Sequence, residues 1–140
     1  VYIHGYETEF QYKLNKLIDL EGSFSATRGE NLTDNSPLYY VPPDKILLST
    51  EIYLSPFSIN LMHKKVFSQN RVGLYEETTP GYETYNLIGT YTIRSTQAIH
   101  KFILQIDNIF NRKYYNHLSR IKSIMPEKGR NIGFQYRLNF

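Results

Sequence analysis

Hydrophobic and polar residues alternate along most of this chain. In the segment 130–140, "RNIGFQYRLNF", every second residue from Ile132 to Phe140 is apolar, and the residues between them are polar or glycine. Such alternation indicates a β-strand with one apolar and one polar face. The pattern predicts seven strands, at residues 1–14, 17–28, 45–54, 57–69, 82–91, 96–107 and 130–140. Because helix signals are nearly absent, the predicted fold is all-β and antiparallel.

The predicted connections alternate strictly between short and long. Short ones lie at 15–16, 55–56 and 92–95, and long ones at 29–44, 70–81 and 108–129. In an up-and-down sheet every other connection lies on the same edge, so one edge carries tight turns and the other carries all the long loops. Bacterial outer-membrane barrels have this asymmetry.

The predicted strands also have the length that a membrane barrel needs. A strand rises about 3.3 Å per residue. Tilted by about 45°, ten or eleven residues cover roughly 25 Å, the height of the apolar band of an outer-membrane barrel. Strands in globular proteins are commonly about half as long.

Alternation alone leaves the orientation of the two faces open. Charged residues lie at mid-strand positions of the polar face, which favours a water-filled interior. They are Glu7, Glu9, Asp19, Glu21, Glu51, Lys101 and Arg137. Tyrosines near strand ends are assigned to the apolar face, as the aromatic girdle of a membrane barrel requires. They are Tyr12, Tyr53, Tyr82, Tyr91 and Tyr136. We therefore expect the apolar face to meet lipid. The alternatives are a soluble lipocalin-like or fatty-acid-binding barrel, with the apolar face around a ligand, and a β-sandwich interaction module.

Composition narrows the function classes. The 140 residues include 13 Tyr, 8 Phe and no Cys, so disulfides and thiol catalysis are excluded. No run approaches the roughly 20 apolar residues of a membrane helix. The basic cluster at 111–122 is interpreted as a solvated loop, and we expect no nucleic-acid partner. The four histidines lack ligand spacing and no hydrolase elbow is present, so we expect no metal site, no cofactor and no enzyme activity.

The last third of the chain resembles the ending of TonB-dependent outer-membrane receptors. In that family the penultimate strand runs into an Asn-Leu-Phe-Asp/Asn-Lys-x-Tyr-type segment, and a Pro-Glu-x-Gly-Arg-Asn segment precedes a final strand that closes on Phe. The matching positions are Asn108, Ile109, Phe110, Asn111, Arg112, Lys113, Tyr114, Pro126, Glu127, Gly129, Arg130, Asn131 and Phe140. Ile109 replaces the commoner leucine. Weaker similarity at 37–45 and 81–87 extends the resemblance over essentially the whole chain.

The resemblance implies an up-and-down transmembrane β-barrel of 22 strands around a plug. Residues 1–140 are then expected to be about seven C-terminal strands, with the plug domain and earlier strands outside them. The expected location is the bacterial outer membrane, and the expected function is energised import of a siderophore–iron complex, haem, cobalamin or a similar scarce nutrient. The implied partners are outer-membrane lipid, the rest of the receptor, the TonB complex through the N-terminal part, and the assembly machinery through the last strand.

Candidate functional residues fall into two groups. The barrel-assembly signal implied by the resemblance comprises Phe134, Tyr136, Leu138 and Phe140. Substrate contacts are expected in the long loops, where aromatic rings can stack on flat ligands and cations can pair with acidic groups. These candidates are Tyr39, Tyr40, Tyr75 with Glu76 and Glu77, Tyr114, Tyr115, His117, Arg120 and Lys122. For Tyr114 and Tyr115, anchoring of the barrel rim is the competing interpretation.

Overall fold

The computed structural model describes all residues from 1 to 140. It contains eight strands: β1 (Tyr2–Lys13), β2 (Ile18–Asn31), β3 (Ser36–Pro37), β4 (Lys45–Leu54), β5 (Phe57–Val66), β6 (Tyr82–Arg94), β7 (Ile99–Asp107) and β8 (Asn131–Asn139). The structure has no helix that is long and apolar enough to cross a membrane. The seven long strands confirm the all-β prediction, and the two-residue β3 is an addition that period-two alternation is too coarse to detect.

The strands form one antiparallel up-and-down sheet in the order β1-β2-β4-β5-β6-β7-β8, with β3 paired to β2 off this path. The predicted topology is therefore confirmed. The sheet is open, because β1 pairs with β2 alone and β8 pairs with β7 alone.

Four strand boundaries differ from the prediction by three residues. β2 continues to Asn31 instead of ending at residue 28, because Gly29 and Glu30 pair with the first residues of β1. β7 begins at Ile99 instead of residue 96. β6 continues to Arg94 instead of ending at residue 91, because Thr92, Ile93 and Arg94 pair with the first residues of β7. β5 ends at Val66 instead of residue 69, because Gln69 pairs across the following loop with Thr79. These differences arise from pairing partners that the local pattern does not reveal.

The sorting of the connections is confirmed. Residues 14–17, 55–56 and 95–98 form the short turns at one edge of the sheet. At the opposite edge lie the first long loop (residues 32–44, including β3), the second long loop (67–81) and the third long loop (108–130).

Cross-strand register places the apolar side chains in continuous rows on one face. One row crosses all seven long strands as Tyr12, Leu20, Thr50, Leu61, Leu87, Ile106 and Ile132. The next row towards the short turns contains Ile18, Ile52, Ile59, Gly89, Leu104 and Phe134. This side of the sheet is called the apolar face below.

An aromatic row borders the apolar face near the short turns. Phe57, Tyr91, Phe102 and Tyr136 are successive register partners across β5 to β8. Their ring centroids are separated by 4.7, 6.4 and 5.1 Å in that order. Rings at this level are typical of the interfacial girdle of a membrane barrel.

The opposite side, the polar face, carries the charged rows. One such row reads Lys13, Asp19, Glu51, Asn60, Ile88, Gln105 and Gly133. Tyr53 and Tyr82 also lie on this face, so their assignment to the apolar girdle is wrong. Tyr53 donates a hydrogen bond to Asp19 over 3.4 Å, and Tyr82 pairs in register with Val66. A phenol can satisfy its hydroxyl on a polar face, and aromatic identity alone therefore does not fix the side of a strand.

The chain encloses almost no apolar core. Eleven of its 140 residues are buried, and the buried hydrophobic side chains are those of Ala26, Val66 and Tyr82. On the apolar face Leu104 is 45% exposed and Phe134 is 70% exposed. A small carrier barrel would seal such residues inside around its ligand, so the structure does not favour that alternative.

Candidate substrate site in the long loops

The long loops pack against one another and against the ends of the strands. Gln69 of the second loop donates to the carbonyl of Val41 in the first over 2.9 Å, and Arg71 pairs with Glu30 of β2 over 2.6 Å. The Tyr39 hydroxyl donates to the carbonyl of Leu74. These contacts join segments that lie far apart in the sequence, and they give the loop edge a defined shape.

The start of the third loop is organised by Asn108, which is 4% exposed and has a φ of 50°. Its amide nitrogen donates to the carbonyls of Arg112 (2.8 Å) and Lys128 (3.3 Å), and its side-chain oxygen accepts the Arg112 N–H (2.8 Å). The backbone N–H of Asn108 donates to Asn86 Oδ1 over 2.9 Å. Asparagine tolerates this left-handed conformation better than most residues. The motif that carries the sequence resemblance therefore has a structural role here.

Glu76 lies at the centre of the loop edge, and its side chain is 5% exposed. Its carboxylate accepts the N–H of Tyr40 in the first loop, at 3.2 and 3.3 Å, and the N–H of Gly73 in the second, at 3.1 Å. Burial by itself would raise the pKa of Glu76. The two N–H groups, with His117 and Lys122, outweigh burial and hold the pKa below its ordinary value.

The third loop meets this carboxylate through two side chains. His117 Nε2 lies 3.1 Å from Glu76 Oε1, in a close polar contact that is poorly aligned for a hydrogen bond. Lys122 Nζ lies 3.6 Å from the same oxygen. The other ring nitrogen, Nδ1, is 3.0 Å from Thr79 Oγ1 and 3.2 Å from Lys122 Nζ. Burial, followed by the Lys122 ammonium, lowers the pKa of His117 against the opposing influence of Glu76.

A cavity of about 260 Å³ opens beside this cluster. It is called the loop pocket, and its lining residues are Tyr39, Tyr40, Tyr75, Glu76, Glu77, Ser119, Arg120, Lys122 and Ser123. Tyr40 and Tyr75 have positive φ values of 56° and 70°, and the Tyr75 side chain is 95% exposed. Aromatic rings and a guanidinium around one opening can stack on a flat ligand and pair with its acidic groups.

The structure brings together most of the residues predicted to contact substrate. Five of the eight principal candidates line the loop pocket, together with the accompanying Glu76 and Glu77: Tyr39, Tyr40, Tyr75, Arg120 and Lys122. Their contact with substrate stays a prediction.

The other three candidates lie outside the opening. Tyr114 packs on Tyr82, with ring centroids 4.3 Å apart, and Tyr115 lies beneath the Lys113 ammonium at 5.9 Å. His117 is 2% exposed, so in this structure it reaches the loop pocket through Glu76 and Lys122 and presents no surface of its own. The packing of Tyr114 and Tyr115 is compatible with the competing interpretation, in which they anchor the barrel rim, and that interpretation also stays a prediction.

Sequence reasoning missed Thr79 and Gln69, which are each 7% exposed and hold the second loop together. Their backbones pair reciprocally at 2.9 and 3.1 Å. Gln69 is the last residue of a predicted strand and Thr79 belongs to no periodic pattern, and no local signal marks their pairing. No group of three or more His, Cys, Asp or Glu side chains is placed to hold a metal ion.

The polar face contains like charges in direct opposition. Asp19 lies opposite Glu51, and Lys101 lies opposite Arg137. None of the four is within ion-pair distance of an opposite charge in this chain. Because like charges directly opposite each other are destabilising, this arrangement favours a solvated face or a face covered by complementary charge.

Long antiparallel strands, one edge of tight turns, one edge of long loops and an apolar face with exposed side chains together define an open, up-and-down β-sheet. Among solved structures, the chain matches one described as the copper transporter OprC with a TM-score of 0.84. The two sequences are 23% identical, and the match covers 97% of this chain and 22% of that chain. The likeness shows a shared fold over a segment, and this chain spans about a fifth of that protein's length. No family model matches the sequence.

Proposed function

We propose that this chain is part of the wall of a bacterial outer-membrane transporter. The observation that carries the proposal is the set of continuous apolar rows on one face of the sheet, opposite a face that carries charges. One row crosses all seven long strands, and every residue in the rows is exposed or half-buried. Lipid can cover the apolar face, and water or another part of the protein can cover the polar face. The aromatic row near the short turns supports this placement.

The finer assignment is a TonB-dependent receptor. It is supported by the motif resemblance in the last third of the chain and by the fold shared with a copper transporter. In this proposal residues 1–140 are the C-terminal strands of a 22-stranded barrel that continues outside them, and the plug fills the lumen. The TonB complex acts through the N-terminal part, and the assembly machinery engages Phe134, Tyr136, Leu138 and Phe140. The proposal assigns no catalytic step to this chain.

The loop pocket is proposed as an outer contact site for the substrate. Three phenol rings and Arg120 suit a flat ligand with acidic groups, such as haem or a metal chelate. A siderophore–iron complex, haem and cobalamin are the candidate substrates, and copper is added because the structural neighbour is described as its transporter.

Uptake by whole cells tests the proposal. A strain lacking the full-length gene is complemented with wild type, with Arg120→Ala, or with the loop control Lys128→Ala, whose side chain does not line the loop pocket. We expect the deletion to abolish uptake of one of the four radiolabelled candidates. Arg120→Ala should raise its half-saturating concentration about tenfold, the effect of losing one charged hydrogen bond, and Lys128→Ala should leave it unchanged. Two results together would contradict the proposal: uptake of all four candidates that is unchanged in the deletion strain, and absence of the protein from the outer-membrane fraction of wild-type cells.

A further inference from the structure

We propose that Glu76 is the positioning residue of the loop pocket and that neutral His117 holds it in place, so that protonation of His117 releases the third loop from the second. The inference rests on the proposed function only in treating the loop pocket as a ligand site. The contacts among Glu76, His117, Lys122 and Thr79 are called the latch below. They do not depend on what the loop pocket binds.

Glu76 is placed to act on all three long loops at once. It accepts backbone N–H groups from Tyr40 and Gly73, and it contacts the side chains of His117 and Lys122. Charge-assisted hydrogen bonds of this kind are about twice as strong as neutral ones. The contacts made by this one carboxylate therefore couple the first and second loops to the third.

The shape of the loop pocket follows from this carboxylate. Tyr40, with its positive φ, is held through its N–H, and Tyr75, also with positive φ, directly precedes Glu76. Lys122 lines the opening and contacts the carboxylate from the third loop. Moving Glu76 would displace walls contributed by each of the three loops.

The surroundings of His117 assign its tautomer. Lys122 Nζ has only protons to donate, so Nδ1, 3.2 Å away, must accept. The Thr79 hydroxyl is a second donor to Nδ1 at 3.0 Å. The ring proton is therefore on Nε2, which faces Glu76 Oε1 at 3.1 Å. The hydrogen-bond arrangement around His117 therefore requires a neutral imidazole.

Protonation of Nδ1 breaks this arrangement. The new N–H would point at an ammonium 3.2 Å away and at a hydroxyl that has been donating to it. The charged groups around His117 are Glu76 of the second loop and Lys122 of the third, and the Glu76 carboxylate is already shared with Lys122 and two N–H groups. The third loop can relieve the conflict by carrying His117 or Lys122 away.

The direction of the pH dependence follows from linkage. Because the pKa of His117 is lowered in the closed cluster, its stabilising contribution is fully present above the ordinary value of 6.5 and is lost as the pH falls towards the lowered value. Glu76 also has a lowered pKa, so it stays ionised until the pH falls below its ordinary 4.5. A measurement at about pH 5 therefore addresses His117 and leaves Glu76 charged.

Pulsed electron paramagnetic resonance on the full-length protein in detergent tests the latch. Spin labels are attached at the exposed positions Thr78→Cys and Ile124→Cys, in the second and third loops. We expect a narrow distance distribution at about pH 7.5 and a broad, longer one at about pH 5, on the two sides of histidine's ordinary pKa. The open-to-closed ratio should rise by up to about tenfold per pH unit.

Variants separate the latch from general acid sensitivity. His117→Gln stays neutral and should show no pH response, whereas the control His4→Gln, at an exposed position, should respond like wild type. Lys122→Met removes the conflicting ammonium but leaves His117 buried, so it should weaken the response without abolishing it. This second variant keeps the test decisive if His117→Gln does not fold. Identical wild-type distributions at both pH values, or a wild-type response in both His117→Gln and Lys122→Met, would overturn the proposal. No substrate is present in this experiment. A pH response of the expected form, together with unchanged uptake of all four candidates in the deletion strain, would therefore refute the transport proposal alone.

Discussion

Replacing Leu104 with arginine is expected to lower the free energy of unfolding of the full-length protein in bilayers by about 2–4 kcal/mol, the cost of a cation on the lipid face near the midplane. Leu104 lies in an apolar row between Gly89 and Phe134 and is 45% exposed. If that exposed surface meets hydrocarbon, the guanidinium has neither water nor a partner there. Urea unfolding in short-chain phosphatidylcholine vesicles measures the change.

The neighbouring residue provides the matched control. Gln105 follows Leu104 on β7 but points to the polar face, where its amide donates to Asp107 at 2.9 Å. Gln105→Arg places the same charge at nearly the same depth, next to a carboxylate and on the water-facing side. We expect its effect to stay within about 0.5 kcal/mol. Equal destabilisation by the two substitutions would contradict the assignment of faces.

The second large effect is expected for Asn108→Ala, which should lower the free energy of opening of the third loop by about 2–4 kcal/mol. The substitution strips partners from the Arg112 N–H and from the carbonyls of Arg112 and Lys128. Part-buried hydrogen bonds of this kind contribute about 0.5–1.5 kcal/mol each, and alanine at a φ of 50° adds about 1–2 kcal/mol of strain. Hydrogen exchange of the Arg112 amide in the full-length protein measures the opening.

Two variants show whether the side-chain bonds of Asn108 are the cause. Asn108→Asp keeps the acceptor for the Arg112 N–H and loses only the donor, so its effect should be intermediate. Asn116→Ala removes an exposed asparagine that bonds only to the nearby Leu118 N–H at 3.1 Å, and should change exchange at Arg112 little. Equal exchange in Asn108→Ala and wild type would show that the motif does not anchor the loop.

The strands and the sorting of the connections could be predicted from the sequence because both depend on short-range pattern. Period-two alternation identified seven long strands, and the alternation of short and long connections gave the up-and-down order. The assignment of Tyr53 and Tyr82 failed because it relied on residue type. In the structure, the position along the strand and the cross-strand register place both on the polar face.

The loop edge was predictable only in part. Tyrosines and cations in the long loops indicated candidate contacts, and five of the eight principal candidates line one cavity. The central role of Glu76 depends on partners at residues 40, 117 and 122, and no periodic pattern connects such distant positions. The buried position of His117 has the same origin, since the sequence cannot show which loops pack together.

The central claim, that the apolar face meets lipid, is tested most directly by fluorescence quenching at two adjacent positions of β8. Full-length protein is labelled with bimane at Phe134→Cys or at Gln135→Cys and placed in bilayers. We expect brominated acyl chains to quench the label at 134 and aqueous iodide to quench the label at 135. Quenching of 134 by iodide and of 135 by brominated lipid would contradict the assignment of the faces and the transporter proposal built on it.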